Sequence, residues 1–247
     1  MEKAEKIIKF LQQTFKEQGF DKGLVGVSGG IDSAVSLILA VKALGKDNVF
    51  AVEMPYKNQN MDMAKLLIEQ AGIKEENRLE INIGEMVDEI AGRLKASEDK
   101  IRLGNIMARV RMIISYDLAK KHRALVIGTA NKSEKLLGYY SRFGDEAADI
   151  EPIGYLYKTQ IYELGKYLGI NKDILQAEPT GGLWLGQTDA KELGFGYKQA
   201  DPILKELADK KTDINEIMKK FDENLVKKIE KRLKQVEFKS KVPFSLV

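Results

Sequence analysis

The chain has no cysteine and a single histidine, His122. The first absence excludes disulfides, thiolate metal sites and cysteine nucleophiles. The second excludes a histidine-rich metal centre and a metalloprotease histidine pair. A metal in this chain is therefore held by oxygen, which favours magnesium or a similar hard ion. An excess of one charge is also missing: 40 basic residues nearly cancel 37 acidic ones, leaving a formal +3. Nucleic-acid binders usually carry a large, clustered positive excess, so no nucleic-acid partner is expected. Long apolar runs are lacking too. Ala34 to Leu44 is interrupted by Lys42 and is too short to span a bilayer. Met1 to Phe20 is charged and amphipathic, unlike a signal peptide. The expectation is a cytoplasmic protein with no membrane partner. Internal repeats and low-complexity linkers are absent.

What is present is a 247-residue chain, 44% hydrophobic, long enough to bury a sizeable core. Ile7, Ile8, Leu11 and Phe15 recur at helical spacing, which predicts a helix over 2–18, stopped by Gly19. Further helices are predicted at Ser33–Ala43, Met61–Ala71, Gly84–Leu94, Ile101–Lys121 and Tyr157–Leu168. Short apolar runs predict strands at Gly23–Val27, Val49–Met54, Arg78–Ile83 and Ala124–Ile127. Residues 95–100 and 176–197 read as loops, and 200–236 as charged helix. Strands alternating with helices imply an α/β fold, an open parallel sheet with helices on both faces. The helical C-terminal part, about 199–247, is expected to pack onto that sheet within one domain, 1–247.

Gly26-Val27-Ser28-Gly29-Gly30-Ile31-Asp32-Ser33 follows the first predicted strand and opens the second helix. An open α/β sheet places ligands at such a carboxyl strand end. The glycines let backbone approach an anion, and the helix start presents free N–H groups and a positive dipole end. Ser28 and Ser33 add hydroxyls. Asp32 beside phosphates makes sense if it holds a bridging cation. The bland alternative is a glycine turn with a helix cap. No Gly-Lys-Ser/Thr follows, so this is not a Walker loop, and the dinucleotide pattern Gly-x-Gly-x-x-Gly is absent. After the fourth strand comes Gly128-Thr129-Ala130-Asn131-Lys132-Ser133-Glu134, again at a carboxyl end. Glu134 could complete a two-carboxylate magnesium site with Asp32, or be a first-turn acid that complements the helix dipole.

The Ser28–Ser33 string resembles the pyrophosphate loop of the N-type ATP pyrophosphatases. Within that superfamily, several segments together resemble ammonia-dependent NAD synthetase. They are Gly128-Thr129-x-Asn131-x-x-Glu134, Arg142-Phe143-Gly144-Asp145-x-x-Ala148-Asp149, Gly104 to Met112, and Pro152-Ile153-Gly154-x-x-x-Lys158. Glu178-Pro179-Thr180, Leu183-Trp184, Gln187-x-Asp189 and Glu192-Leu193-Gly194 complete the set. The likeness runs from the first helix to about Tyr197 and continues more faintly to Lys239.

The resemblance implies a Rossmann-like, adenine nucleotide alpha-hydrolase-like fold. It implies ATP-dependent amidation of deamido-NAD to NAD through an adenylate, releasing AMP and pyrophosphate. Residues 26–33, Thr129, Lys158 and Thr180 would bind ATP. Asp32 and Glu134 would hold Mg2+. Arg109, Arg142 and Asp149 would contact deamido-NAD. Asp145 would lie beside the reacting carboxyl and help deprotonate ammonium. The family often shows a His-Lys pair near the C-terminus that touches the dinucleotide; here it is Phe238-Lys239, which puts the histidine's role in doubt.

Plainer roles stay open for several of these. Arg109 and Arg111 lie two apart on a helix and face different ways, so one is an ordinary charge. Asp145 and Asp149 could make Asx-turns, and Tyr139 and Tyr140 could be core. Lys158 is ill placed at a helix start, which mildly favours a phosphate role. Glutamine-fed relatives carry an amidase domain with its own cysteine, so free ammonia is the expected donor here. Loops 57–61 and 176–197 are expected lids. The resemblance also implies a homodimer, with the Ile101–Lys121 helix as candidate interface. The rival readings are a nucleotide-binding sensor without catalysis and another N-type pyrophosphatase such as a GMP-synthetase-like ligase.

Overall fold

The structure, a computed structural model, describes residues 2–241 and Phe244. Met1 and the remaining C-terminal positions of the 199–247 extension lie outside the described residues. Four parallel strands form one sheet: β1 (Lys22–Gly26), β2 (Val49–Glu53), β3 (Arg78–Glu80) and β4 (Ala124–Ile127), in the spatial order β3-β2-β1-β4. The chain steps from β1 outward to β3, then returns to place β4 on the other side of β1. The direction reverses between β1 and β4, so their carboxyl ends flank a crevice.

Helices cover both faces, as expected. On one side lie α1 (Glu2–Gln18), α2 (Ile31–Leu44), α3 (Asp62–Gln70), α7 (Lys158–Tyr167) and α8 (Lys172–Gln176). α1 buries Ala4, Ile7, Leu11 and Phe15, a single stripe at three- and four-residue spacing. α2 buries every residue from Ser33 to Ala40, which suits a helix between the sheet and α1. On the other side lie α4 (Gly84–Arg93) and α5 (Lys100–His122). Met107, Val110, Ile114 and Leu118 of α5 pack on Leu24, Phe50 and Val52 of the strands. Asp99 caps α5, accepting from the backbone N–H groups of Ile101 and Arg102 at 3.1 Å each.

β3 is shorter than the predicted Arg78–Ile83. Ile81 and Ile83 still donate to the carbonyls of Glu53 and Pro55 at 2.9 Å, but Pro55 has no N–H to return the bond.

The C-terminal part departs from expectation. It comprises α9 (Asp189–Leu193), α10 (Tyr197–Leu204), α11 (Ile214–Met218) and α12 (Glu223–Val236). Its core joins Leu193, Phe195, Ile203, Leu204, Ile217, Val226 and Ile229 to Leu137 of α6 (Lys132–Leu137) and to Tyr157, just before α7. It is thus built against α6 and α7 rather than against the strands. The charged helical stretch predicted over 200–236 is divided, because Pro202 sits inside α10, a π-helical turn follows at Lys205–Asp209, and Asp213 and Asp222 cap fresh starts. The 176–197 segment is not all loop, since Thr188 caps the short α9. No described helix is long and apolar enough to cross a membrane.

Candidate active site

A cavity of about 880 Å³ opens at the carboxyl ends of β1 and β4. All of Gly26 to Ser33 lines it, together with Thr129, Glu134, Asp145, Lys158, Thr180 and Lys239. The loop between β1 and α2 owes its shape to Gly29. Its φ is +82°, and a Cβ there would lie 2.8 Å from Met63 Cβ and 2.9 Å from the Ala64 backbone nitrogen. Only glycine satisfies both demands. Ser28 and Ser33 face each other with their hydroxyls 3.2 Å apart, and the Ser33 hydroxyl donates to the Gly30 carbonyl at 2.9 Å.

The electrostatic centre is a triad. Lys158 Nζ donates to Asp32 Oδ2 at 2.5 Å and to Glu134 Oε1 at 2.8 Å. Lys158 is 3% exposed. Asn131 donates its amide to Asp32 Oδ1 at 2.8 Å and caps α6 by accepting from Glu134 N at 3.0 Å. Burial works against the Lys158 ammonium, but Asp32 and Glu134 outweigh it and hold its pKa above the ordinary lysine range. Two carboxylates then share one ammonium, which leaves a net negative charge in a largely buried place. Its cost falls on Glu134: burial first, with Asp32 adding and Lys158 opposing, pushes that carboxyl up to about 7.

Asp145 is exposed at its surface, yet it lies on the cavity wall with protein packed densely around it. Desolvation by the surrounding protein raises its carboxyl above the usual range, while the Ser141 N–H, donating at 2.8 Å, pulls it down. Lys239 donates to the Gly138 and Tyr140 carbonyls at 2.7 Å each.

The expected dinucleotide residues divide. Arg109, Arg142, Asp149 and Phe238 are not among the lining residues of this cavity. Arg109 donates to the Arg142 carbonyl at 3.0 Å, and the Arg142 guanidinium lies over the Phe143 and Phe238 rings, 5.4 and 5.6 Å from their centroids. These residues make a cluster outside the cavity. Asp149 accepts from the Val126 backbone N–H at 2.7 Å, at the end of β4.

Residues that sequence reasoning left without a role also converge here. Arg111 turns inward where Arg109 turns out. It donates to the Met54 carbonyl and to Gln59 Oε1, both at 3.0 Å. Gln59 donates onward to the Gly182 carbonyl at 3.1 Å, so the two expected lid segments are tied to each other and to α5. Gly104 permits this approach, since a Cβ there would lie 2.8 Å from Leu183 and 3.5 Å from Trp184. Asp189 is buried, accepts from the Tyr197 hydroxyl at 2.9 Å, and stands above the usual carboxylate range because of burial. The two-residue offset of Arg109 and Arg111 signalled opposite faces, but nothing in the sequence said which faced in.

A parallel sheet with a glycine loop and paired carboxylates at its switch point defines a nucleotide-binding protein of the Rossmann-like, adenine nucleotide alpha-hydrolase class. The comparisons narrow that class. A family model described as NAD synthase matches residues 3–243, and the chain belongs to that family. An NH(3)-dependent NAD(+) synthetase of Fusobacterium nucleatum is 42% identical over 241 residues, 96% of this chain and 92% of that one. Among solved structures, an NH3-dependent NAD synthetase from Campylobacter jejuni superposes with a TM-score of 0.82 at 32% identity, covering 100% of this chain and 98% of that one. An NMN synthetase from Francisella tularensis superposes with a TM-score of 0.87, also at 32% identity, covering 99% and 97%.

Proposed function

We propose that this chain amidates deamido-NAD to NAD in the cytoplasm, with ammonia as nitrogen donor and ATP as the activating substrate. The observation that carries it is the convergence of Asp32, Glu134 and Lys158 on one point beside the Gly26–Ser33 loop. A nicotinate carboxylate oxygen attacks the α-phosphorus of ATP, and the bond to the β-phosphate oxygen breaks. The departing pyrophosphate meets the backbone N–H groups at the start of α2 and the hydroxyls of Ser28 and Ser33. Lys158 offsets charge building on the phosphates, with Thr129 and Thr180 also on the cavity wall. Ammonia then attacks the acyl carbon and AMP leaves. Asp145, on the same wall with a raised carboxyl, takes the proton from ammonium. The tied lids exclude water that would hydrolyse the adenylate.

Asp32 and Glu134 form an all-oxygen pair suited to Mg2+. Among the described residues no group of three or more metal-ligating side chains stands ready, so phosphates and water would complete the shell, as magnesium prefers. Bound there, the ion would neutralise phosphate charge.

Arg109, Arg142, Asp149, Phe238 and Lys239 serve the dinucleotide: Lys239 acts from the cavity wall, and we place the Arg109, Arg142 and Phe238 cluster, outside the cavity, at a homodimer interface. Exposed apolar side chains stand on the helices of that side: Met86 and Ile90 on α4, Leu94 just past its end, and Ile113 on α5, between Arg109 and Asp117.

The test supplies ATP, Mg2+, deamido-NAD and ammonium to the purified chain and measures AMP and NAD. Equal yields support the scheme, and AMP without NAD means a different acceptor. ATP binding without pyrophosphate release means a sensor. Appreciable NAD from glutamine without ammonium would sink the ammonia reading. The Francisella neighbour makes a mononucleotide acceptor the second reading, so nicotinic acid mononucleotide is run in parallel.

A further inference from the structure

α7 begins at Lys158, and its first turn is poorly provided for by its own residues. A cation there meets the positive end of the helix dipole, and the first N–H groups need acceptors from outside the helix. The Tyr157 side chain makes no cap bond. The acceptors come from two other helices. Ser133 Oγ, on α6, accepts from Lys158 N at 2.8 Å. Asp201 Oδ2, on α10, accepts from Thr159 N at 2.8 Å. The Ser133 hydroxyl donates to Asp201 Oδ1 at 2.6 Å, which closes the loop of contacts.

Ser133 is fully buried and Asp201 is 4% exposed. No described lysine or arginine pairs with Asp201, so its charge faces the α7 N-terminus, where it is favourable. Glu134 is the next residue after Ser133, and Asn131, which starts the same turn, holds Asp32. One carboxylate therefore clamps the turn that carries Glu134 to the turn that carries Lys158.

We propose that Asp201 is a positioning residue for the reaction: through Ser133 and the first turn of α7 it sets where the Lys158 ammonium stands. The inference gives the C-terminal helices a part in catalysis although they carry no reacting group. It rests on the role proposed for Lys158, and the experiment separates the two.

Steady-state kcat and KM are measured for Asp201→Asn, Ser133→Ala, Ser133→Thr, Lys158→Gln and the double variant Asp201→Asn/Lys158→Gln. Ile217→Val, in the C-terminal core away from α7, controls for lost stability, with urea unfolding followed throughout. Misplacing a reacting group by about 1 Å can cost on the order of a hundredfold. Asp201→Asn and Ser133→Ala are expected to lower kcat about tenfold to a hundredfold, with KM for ammonium nearly unchanged. Ser133→Thr keeps the hydroxyl and restores kcat, and Ile217→Val keeps it despite lower stability. The double variant is expected to be no slower than Lys158→Gln, because residues acting through one group are not additive. Wild-type kcat for Ser133→Ala, or an additive loss in the double variant, overturns the role of Asp201. Wild-type kcat for Lys158→Gln overturns the role of Lys158 instead. If Asp201→Asn does not fold, the Ser133 pair decides alone.

Discussion

Glu134 shares the Lys158 ammonium with Asp32, and this leaves a net negative charge on a largely buried group of three. Glu134→Gln removes that charge and keeps an oxygen to accept from Lys158. In the folded chain the Glu134 carboxyl stands at about 7, against 4.5 for the ordinary group. Between those values the folded protein holds a proton that the unfolded chain has released. Stability therefore falls as pH rises from 4.5 through 7, the reverse of the usual carboxylate case. By linkage the loss is about 3 kcal/mol at pH 8 and under about 1 kcal/mol at pH 5. Glu134→Gln is thus expected to be more stable than the parent at pH 8, by up to about 3 kcal/mol, with little gain at pH 5. NAD formation is lost at both. Urea unfolding in EDTA, at the two pH values, measures it. An equal gain at both, or a loss at pH 8, would refute the reasoning.

Three further outcomes follow from the geometry. Gly29→Ala forces a left-handed residue against α3 and should cost about 1–3 kcal/mol, with ATP affinity falling further than stability, as titration calorimetry would show. Gln59→Leu cuts the tie between Arg111 and Gly182; a lid that closes poorly lets water reach the adenylate, so AMP should exceed NAD, and a ratio of one would count against the lids. Ile113→Arg places a charge at an exposed apolar residue of α5, between Arg109 and Asp117, and on the proposed homodimer should yield folded monomers by sedimentation, with NAD formation reduced; an unchanged dimer would move the interface elsewhere.

Much of the fold was legible because its signals are local. The stripe of α1 and the strand–loop–helix around Gly29 are each set by residues within a few positions of one another. The cavity residues Gly26 to Ser33, Thr129 and Glu134 were legible for the same reason, each segment following a strand end. What could not be read depends on contacts across many residues. Asp32 and Lys158 are 126 residues apart, so the sequence could not say that their side chains meet. Gln59 and Gly182 are 123 apart. The C-terminal core was misplaced because a charged amphipathic pattern shows that a helix has a partner, not which partner it has. Pro202 and the capping Asp213 and Asp222 were local signs that the 200–236 run is broken.

The sheet is chemically one-ended. All four strands point their carboxyl ends toward the cavity, so the turns that enter the strands answer only to folding. Gly45 to Asn48, ahead of β2, is such a turn, with Gly45, Lys46 and Asp47 exposed. A reporter domain or affinity handle could be spliced there, on the far side of the molecule from the nucleotide, without entering the reaction's space. The two ends of one sheet thus offer separate handles, one for altering what the enzyme does and one for watching it work.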